Sequence, residues 1–219
     1  MWVGAVALLA LGVTGVLLWI SRTPGVRLNP NRTSVTLQIP VQNIAYPALS
    51  RDGKWVAFPA ADENGKWDVY LMNIAGGKPN RVTYESATYI IIVDISPDVS
   101  QIAYSSLNEA NPFFMVRLVG SQGGGSRTLV DSGVALWWRP DGQRIGYMRL
   151  GSGAAMAPST SGKLEIWSIR SDGTDKRLEF TDSVSSKPVP FALGWSPDGE
   201  SIPLTNSPPG PPTSGIGRK

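Results

Sequence analysis

The chain has 219 residues, enough to bury one sizeable core without covalent help. It contains no cysteine and no histidine, which excludes disulfides, the Ser-His-Asp and Cys-His nucleophile arrangements and the usual zinc sites from these residues. Twenty Lys and Arg against seventeen Asp and Glu leave a net charge of +3, but the bases are scattered among the acids and form no stripe for nucleic acid.

Residues Trp2 to Ile20 (WVGAVALLALGVTGVLLWI) carry no charge. As a helix this run would span roughly 28 Å, close to the hydrocarbon thickness of a bilayer. Trp2 and Trp19 stand at its two ends, where indole rings favour the interface, so residues 1–21 are read as one N-terminal transmembrane helix. It lacks the basic leader and the small-residue cleavage site of a signal peptide. Arg22, Arg27 and Arg32 all follow the span, and the positive-inside rule taken literally would leave the folded part in the cytoplasm. Met1 abuts the apolar run, however, so the natural protein is read as beginning further upstream, with the folded part extracytoplasmic, in the periplasm. Residues 22–33, with Pro24, Gly25 and Pro30, form a linker.

Ser34 to Ile39 alternates polar and apolar and predicts an isolated strand. The stretch Ala45 to Thr83 then reads as a complete unit. A turn at Ser50-Arg51-Asp52-Gly53 leads into the strand Lys54 to Phe58, and Asn64-Gly65 is a strong hairpin signal because both residues tolerate positive φ. Trp67 to Met72 is a second strand rich in aromatic and β-branched residues. Gly76-Gly77-Lys78-Pro79 ends it, and Arg81 to Thr83 leaves room for a short outer strand. With Ile44 to Leu49 ahead of the turn, the unit has four antiparallel strands and no helix.

The turn recurs as Ser96-Pro97-Asp98-Val99, Arg139-Pro140-Asp141-Gly142 and Ser196-Pro197-Asp198-Gly199. The aspartates at 52, 98, 141 and 198 stand 46, 43 and 57 residues apart, the last interval lengthened by the insert 151–162 (GSGAAMAPSTSG). A period in the forties with four strands per unit is what a propeller blade requires. Proline presets φ, Asp bonds the neighbouring backbone and Gly accepts positive φ, so Val99 and Arg51 weaken single turns.

The recurring P-D-G turn, the I-A-F/Y strand, and the D-G or G-G pair followed by a basic, β-branched stretch resemble the WD40-like (PD40) repeat of TolB-type proteins, over roughly Ala45 to Leu204. This resemblance implies an all-β partial β-propeller of four-stranded antiparallel blades, preceded by the transmembrane helix, with residues 34–204 holding about three complete blades and the start of a fourth. Residues 205–219, with Pro208, Pro209, Pro211 and Pro212, are expected to be disordered. Because the repeats fall short of a closed ring, the chain reads as a truncated copy of a longer protein. A span, a linker and such repeats also resemble the region after the catalytic domain of some bacterial membrane-bound serine/threonine kinases, although the kinase motifs are absent.

Possible sites have simpler readings. Asp62, Asn64, Gly65 and Asp68 faintly resemble a calcium loop but lack its spacing, so a hairpin accounts for them. Gly123-Gly124-Gly125 lacks the Lys and helix of a phosphate loop and reads as a strand connection, and the Gly194 to Asp198 stretch fails the nucleophile-elbow pattern. Trp137, Trp138, Trp167 and Trp195 are assigned to packing between blades, and the 151–162 insert to a family-specific contact. No catalytic, cofactor-binding or metal residue is assigned. The expected function is a membrane-anchored, non-catalytic binding or sensing module that docks a protein or ligand on a propeller face. The alternatives are the sensor part of a transmembrane kinase, or the propeller of a prolyl-oligopeptidase-like hydrolase without its catalytic domain.

Overall fold

The computed structural model describes residues 39, 42–85, 87–109, 111–150, 161–185, 191–192 and 194–205. The proposed membrane span, the linker, most of the Ser34 to Ile39 strand and the tail lie outside the described residues. Among the described residues no helix is long and apolar enough to cross a membrane, and every regular element is a strand.

The first sheet contains β1 (Gln42–Ile44), β2 (Ala48–Leu49), β3 (Trp55–Ala61), β4 (Trp67–Asn73) and β5 (Asn80–Arg81). It therefore has five strands where the sequence predicts four. The inner strand is split: β1 pairs with one end of β3, at Ala60 and Ala61, and β2 with the other, at Val56 and Ala57. Asn43 takes a positive φ of 52°, and Tyr46 leaves the ladder to donate its N–H to the Ile91 carbonyl of the next sheet at 3.3 Å. The strand after the first turn also runs on through Pro59, which the sequence reading leaves out. The pattern of bonds turns the backbone of Trp55, Ala57 and Pro59 toward the inner strand. The proline's missing N–H thus faces the interruption between β1 and β2, while its carbonyl accepts from Ala45 at 3.1 Å.

The second sheet is β6 (Tyr89–Ile95), β7 (Gln101–Asn108), β8 (Asn111–Gly120) and β9 (Arg127–Val130). The third is β10 (Val134–Trp138), β11 (Arg144–Leu150), β12 (Ser161–Arg170) and β13 (Arg177–Ser185). Each is a sequential antiparallel meander. The insert between β11 and β12 is shorter than predicted, because Ser161 and Gly162 already belong to β12; residues 151–160 lie outside the described residues. The last sheet pairs β14 (Phe191–Ala192) with β15 (Leu204–Thr205).

The sheets pack face against face through apolar seams. Val69, Leu71 and Val82 of the first blade meet Ile90, Val93, Ile102 and Tyr104 of the second. Val116, Leu118 and Val130 of the second meet Trp138, Ile145 and Tyr147 of the third. Phe58, Tyr104 and Tyr147 hold the same position of successive repeats and are fully buried. Burying side chains of this size contributes about 1.5–3 kcal/mol each, so the seams are the main source of stability.

The four recurring turns share one hydrogen-bond pattern. The aspartate carboxylate accepts the N–H two residues on: Lys54 at 3.1 Å, Ser100 at 3.0 Å, Gln143 at 2.9 Å and Glu200 at 2.9 Å. In the three turns that begin with serine, its hydroxyl donates to that carboxylate and accepts the N–H five residues on, at 2.9 Å from both Trp55 and Gln101 and 3.0 Å from Ser201. Gly53, Gly142 and Gly199 sit at φ of 69°, 71° and 76°; Val99 takes the same conformation at 62°.

Candidate functional site

The third blade turns one apolar face toward the partial fourth repeat, and this seam is only half covered among the described residues. Its inner half is complete: Met148, Leu164 and Ile166 pack against Val134, Trp137 and Ile202. Gly146 stands where the first two blades have Ala57 and Ala103. A Cβ there would lie 3.1 Å from the Trp195 indole nitrogen and 3.4 Å from the Trp137 ring, so the missing methyl makes room for both indoles. Arg139 locks the seam from the turn side. Its Nε donates to the Gly199 carbonyl at 3.2 Å, its guanidinium lies 5.5 Å from the centre of the Trp195 ring, and Glu200 is 3.5 Å away.

The outer half of the seam is open. Phe180 pairs with Ile166 across β13 and β12, the register position that Val130 holds opposite Val116 in the second blade. Val130 is 8% exposed beneath the third blade, whereas Phe180 is 37% exposed. Between Ile166 and Phe180 on one wall and Trp195, Ile202 and Leu204 on the other lies a groove of about 200 Å³. Glu179 and Glu200 also line it, and among the described residues no base does. The far end of the arc has a matching feature. Ile44 and Leu49, opposite Ala60 and Val56 on the outward face of the first blade, are 41% and 59% exposed. That face is built on Val56, Phe58, Ala60 and Met72, against which Ile39 packs. Apart from Tyr84, between the first and second blades, the exposed large apolar side chains among the described residues lie at the two ends of the blade series, which is where a binding protein would offer surface to a partner.

One ionisable group at an inner seam is unusual. Asp94, near the end of β6, accepts the Trp138 N–H at 2.7 Å and the Ile95 N–H at 2.9 Å. The residue as a whole is half-buried, yet desolvation of its carboxyl outweighs these two bonds and the attraction of Arg51, and pushes it up to about 6. The corresponding residues of the other repeats are Ala48, Trp137 and Gly194, so nothing in the repeat pattern marks this aspartate.

The sites weighed in the sequence have structural roles. Asp62 accepts the N–H groups of Asn64 and Lys66 at 2.9 Å each, and Gly65 sits at φ 74°. Asn64 keeps a negative φ, so the hairpin is a turn capped by Asp62 and not one with two left-handed residues. Asp68 is buried on Arg81, Thr83 and the Glu85 N–H. Among the described residues no group of three or more metal-ligating side chains converges. Gly123 and Gly124, at φ 89° and 118°, connect β8 to β9. Ser196 is held to Asp198 within its turn. Trp138 and Trp167 pack in the seam between the second and third blades, and Trp137 and Trp195 in the next.

No protein-family model matches the chain, and no curated protein does. Solved structures do. A putative TolB from Agrobacterium tumefaciens aligns with a TM-score of 0.56 at 23% identity, over 76% of this chain and 55% of that one. An oligogalacturonate lyase from Vibrio parahaemolyticus aligns with a TM-score of 0.56 at 13% identity, over 75% and 47%. A prolyl endopeptidase aligns with a TM-score of 0.51 at 14% identity, over 75% and 26%. The chain therefore has the fold of a TolB-like β-propeller and spans about half the length of the TolB and the lyase. Because a lyase and a peptidase share these blades, the likeness specifies the fold and leaves the activity open.

Proposed function

We propose that the chain is a non-catalytic binding or sensing module, held to a membrane by residues 2–20 with its blades on the extracytoplasmic side, and that it is part of a longer protein. The observation that carries the binding part is the placement of exposed apolar side chains: Ile44 and Leu49 at one end of the blade series, Phe180 and Leu204 at the other. The polar groups of the recurring turns are engaged in holding the backbone, which supports a scaffold over a reaction centre. The uncharged nineteen-residue run supports the anchor. Sensing for a transmembrane kinase remains the more specific version of this reading, and it rests on the order of span, linker and repeats.

Carbene labelling of the protein in its native membranes, compared with the purified chain, tests the binding part. Residues at one or both ends of the blade series should be protected in the membranes; equal labelling at both would overturn it. A reporter fused after Lys219 tests the placement. Periplasmic phosphatase activity is expected, and activity of a cytoplasmic reporter would refute it.

A further inference from the structure

We infer that the outer rim of the first seam binds an internal water, held by the Tyr104 and Ser126 hydroxyls, the Arg117 Nε–H and the Glu85 carboxylate. The inference goes beyond the general binding reading and depends neither on the membrane anchor nor on the ends of the blade series.

The first observation is a group of stranded polar atoms. Tyr104 on β7 and Arg117 on β8 are direct cross-strand partners, so both side chains stand on the face turned toward the first blade. Tyr104 is fully buried. Its hydroxyl, Arg117 Nε and the Ser126 hydroxyl are all closed off from solvent, and none has a hydrogen-bond partner among the described residues. The three belong to one place. Burial pushes the Tyr104 phenol well above its ordinary value, and Ser126, Glu85 and Arg117 all act on it as near neighbours. Glu85, on the connection between the first two blades, in turn holds Arg117 Nη1 at 2.6 Å. Buried polar groups in native proteins are bonded, and where protein atoms do not align, a water making about three bonds is the usual partner.

Charge and bonding capacity select the ligand. Glu85 and Arg117 neutralise each other, so an anion would be repelled by the carboxylate and a cation by the guanidinium. Arg117 Nε–H can only donate and the carboxylate only accept, so the occupant must do both. Water does: it accepts from Arg117 and Tyr104 and donates to Ser126 and Glu85. The equivalent positions of the other blades offer no such set. The first has Phe58 stacked on Tyr70 at 5.7 Å, with Pro79 in place of Ser126. The third has Tyr147, Trp167 and Lys176, where the indole N–H already donates to Glu165 at 2.8 Å and the ammonium lies over the Trp167 ring at 4.9 Å. At the first seam the water would tie the connection that carries Glu85 to the outer edge of the second blade through Ser126.

The test uses the full 219-residue chain in detergent. Oxygen-17 relaxation dispersion of the solvent counts waters that stay bound far longer than surface waters do. At least one is expected in the parent. Ser126→Val, which replaces the hydroxyl by methyl groups, should remove one, and Gly125→Ala, with nothing within 4 Å of its Cβ position, should remove none. Tyr104→Phe installs the residue that the first blade has at this position and takes one bond from the water, so it should lower Tm, by about 2–4 °C. A parent without a long-lived water, an unchanged count in Ser126→Val with parental circular dichroism, or equal loss in Ser126→Val and Gly125→Ala would each overturn the inference. So would a Tm unchanged or raised by Tyr104→Phe, which would mark the hydroxyl as an uncompensated buried group. None of these results bears on protection at the ends of the blade series in native membranes, so the broader reading stands or falls separately.

Discussion

The carboxylate of Asp94 accepts the backbone N–H of Trp138 at 2.7 Å, joining the inner strands of the second and third blades. Because burial raises this carboxyl to about 6, the folded chain retains its proton between roughly pH 4 and 6, where the unfolded chain has released it. Stability from this group therefore falls as pH rises through that window. The turn aspartates act in the opposite sense: hydrogen bonds from Ser50, Ser96 and Ser196 hold Asp52, Asp98 and Asp198 below the ordinary value, and their contribution is lost as pH drops below about 4. Stability should peak near pH 4–5. Asp94→Asn should flatten the decline between about pH 4 and 6; chemical unfolding at several pH values checks this, and an unchanged slope would contradict it.

Val99 occupies a left-handed conformation that the equivalent turns give to glycine. A β-branched residue there is strained by about 1–2 kcal/mol. Val99 also packs on the first seam, so Val99→Gly trades relief of strain for lost contact and greater unfolded-state entropy. The net should lie between zero and a gain of about 1 kcal/mol, where truncating a half-buried valine ordinarily costs stability. Gly142→Val should cost about 1–2 kcal/mol from φ alone, since its nearest neighbour, Pro97, leaves room at 3.6 Å. Thermal unfolding of both variants decides: a clear loss in Val99→Gly would show that strain at 99 is negligible.

How much of this was legible in the sequence follows from the range of the interactions. Turns and hairpin strands are set by residues within five positions of one another, and the recurrence of Asp52, Asp98, Asp141 and Asp198 exposes them. The serines at 50, 96 and 196 recur just as plainly, and their double hydrogen-bonding role could have been read from that alone. The division of the first inner strand could not, because Tyr46 leaves its own sheet for Ile91, forty-five positions away in the chain. Nor could the role of Asp94, whose partner Trp138 belongs to another blade, or the exposure of Phe180, which no local pattern sets. The strand can continue through Pro59 because of the direction of the proline's missing N–H, which is a matter of register and not of residue type.

The leading serines should differ in worth according to burial. Ser96 is buried, and without its hydroxyl the Gln101 N–H loses its acceptor. An unsatisfied buried donor costs about 1–3 kcal/mol. Ser196 makes the same bonds in a more exposed turn, where water can replace them. Ser96→Ala should therefore lower the unfolding free energy by at least 1 kcal/mol and Ser196→Ala by less than about 0.5 kcal/mol. Equal losses in a denaturant titration would mean that the hydroxyl acts through the turn alone, whatever surrounds it.

Gly133 precedes the third blade, and its N–H donates to the Phe114 carbonyl at 2.7 Å. A Cβ at this position would stand 2.7 Å from Tyr147 Cδ2 and 3.1 Å from Val116 Cγ2. Tyr147 is fully buried in the seam between the second and third blades and has no open space to swing into. Gly133→Ala should therefore overpack the seam at a cost of about 1–3 kcal/mol. Gly125→Ala is the control, since nothing lies within 4 Å of its Cβ position, and it should stay within about 0.5 kcal/mol of the parent. For a domain of this size each kcal/mol lowers Tm by roughly 2–4 °C, so the two variants separate clearly in a melting experiment. If they melt together, the approach of Gly133 to the Tyr147 ring does not limit the packing of the two blades.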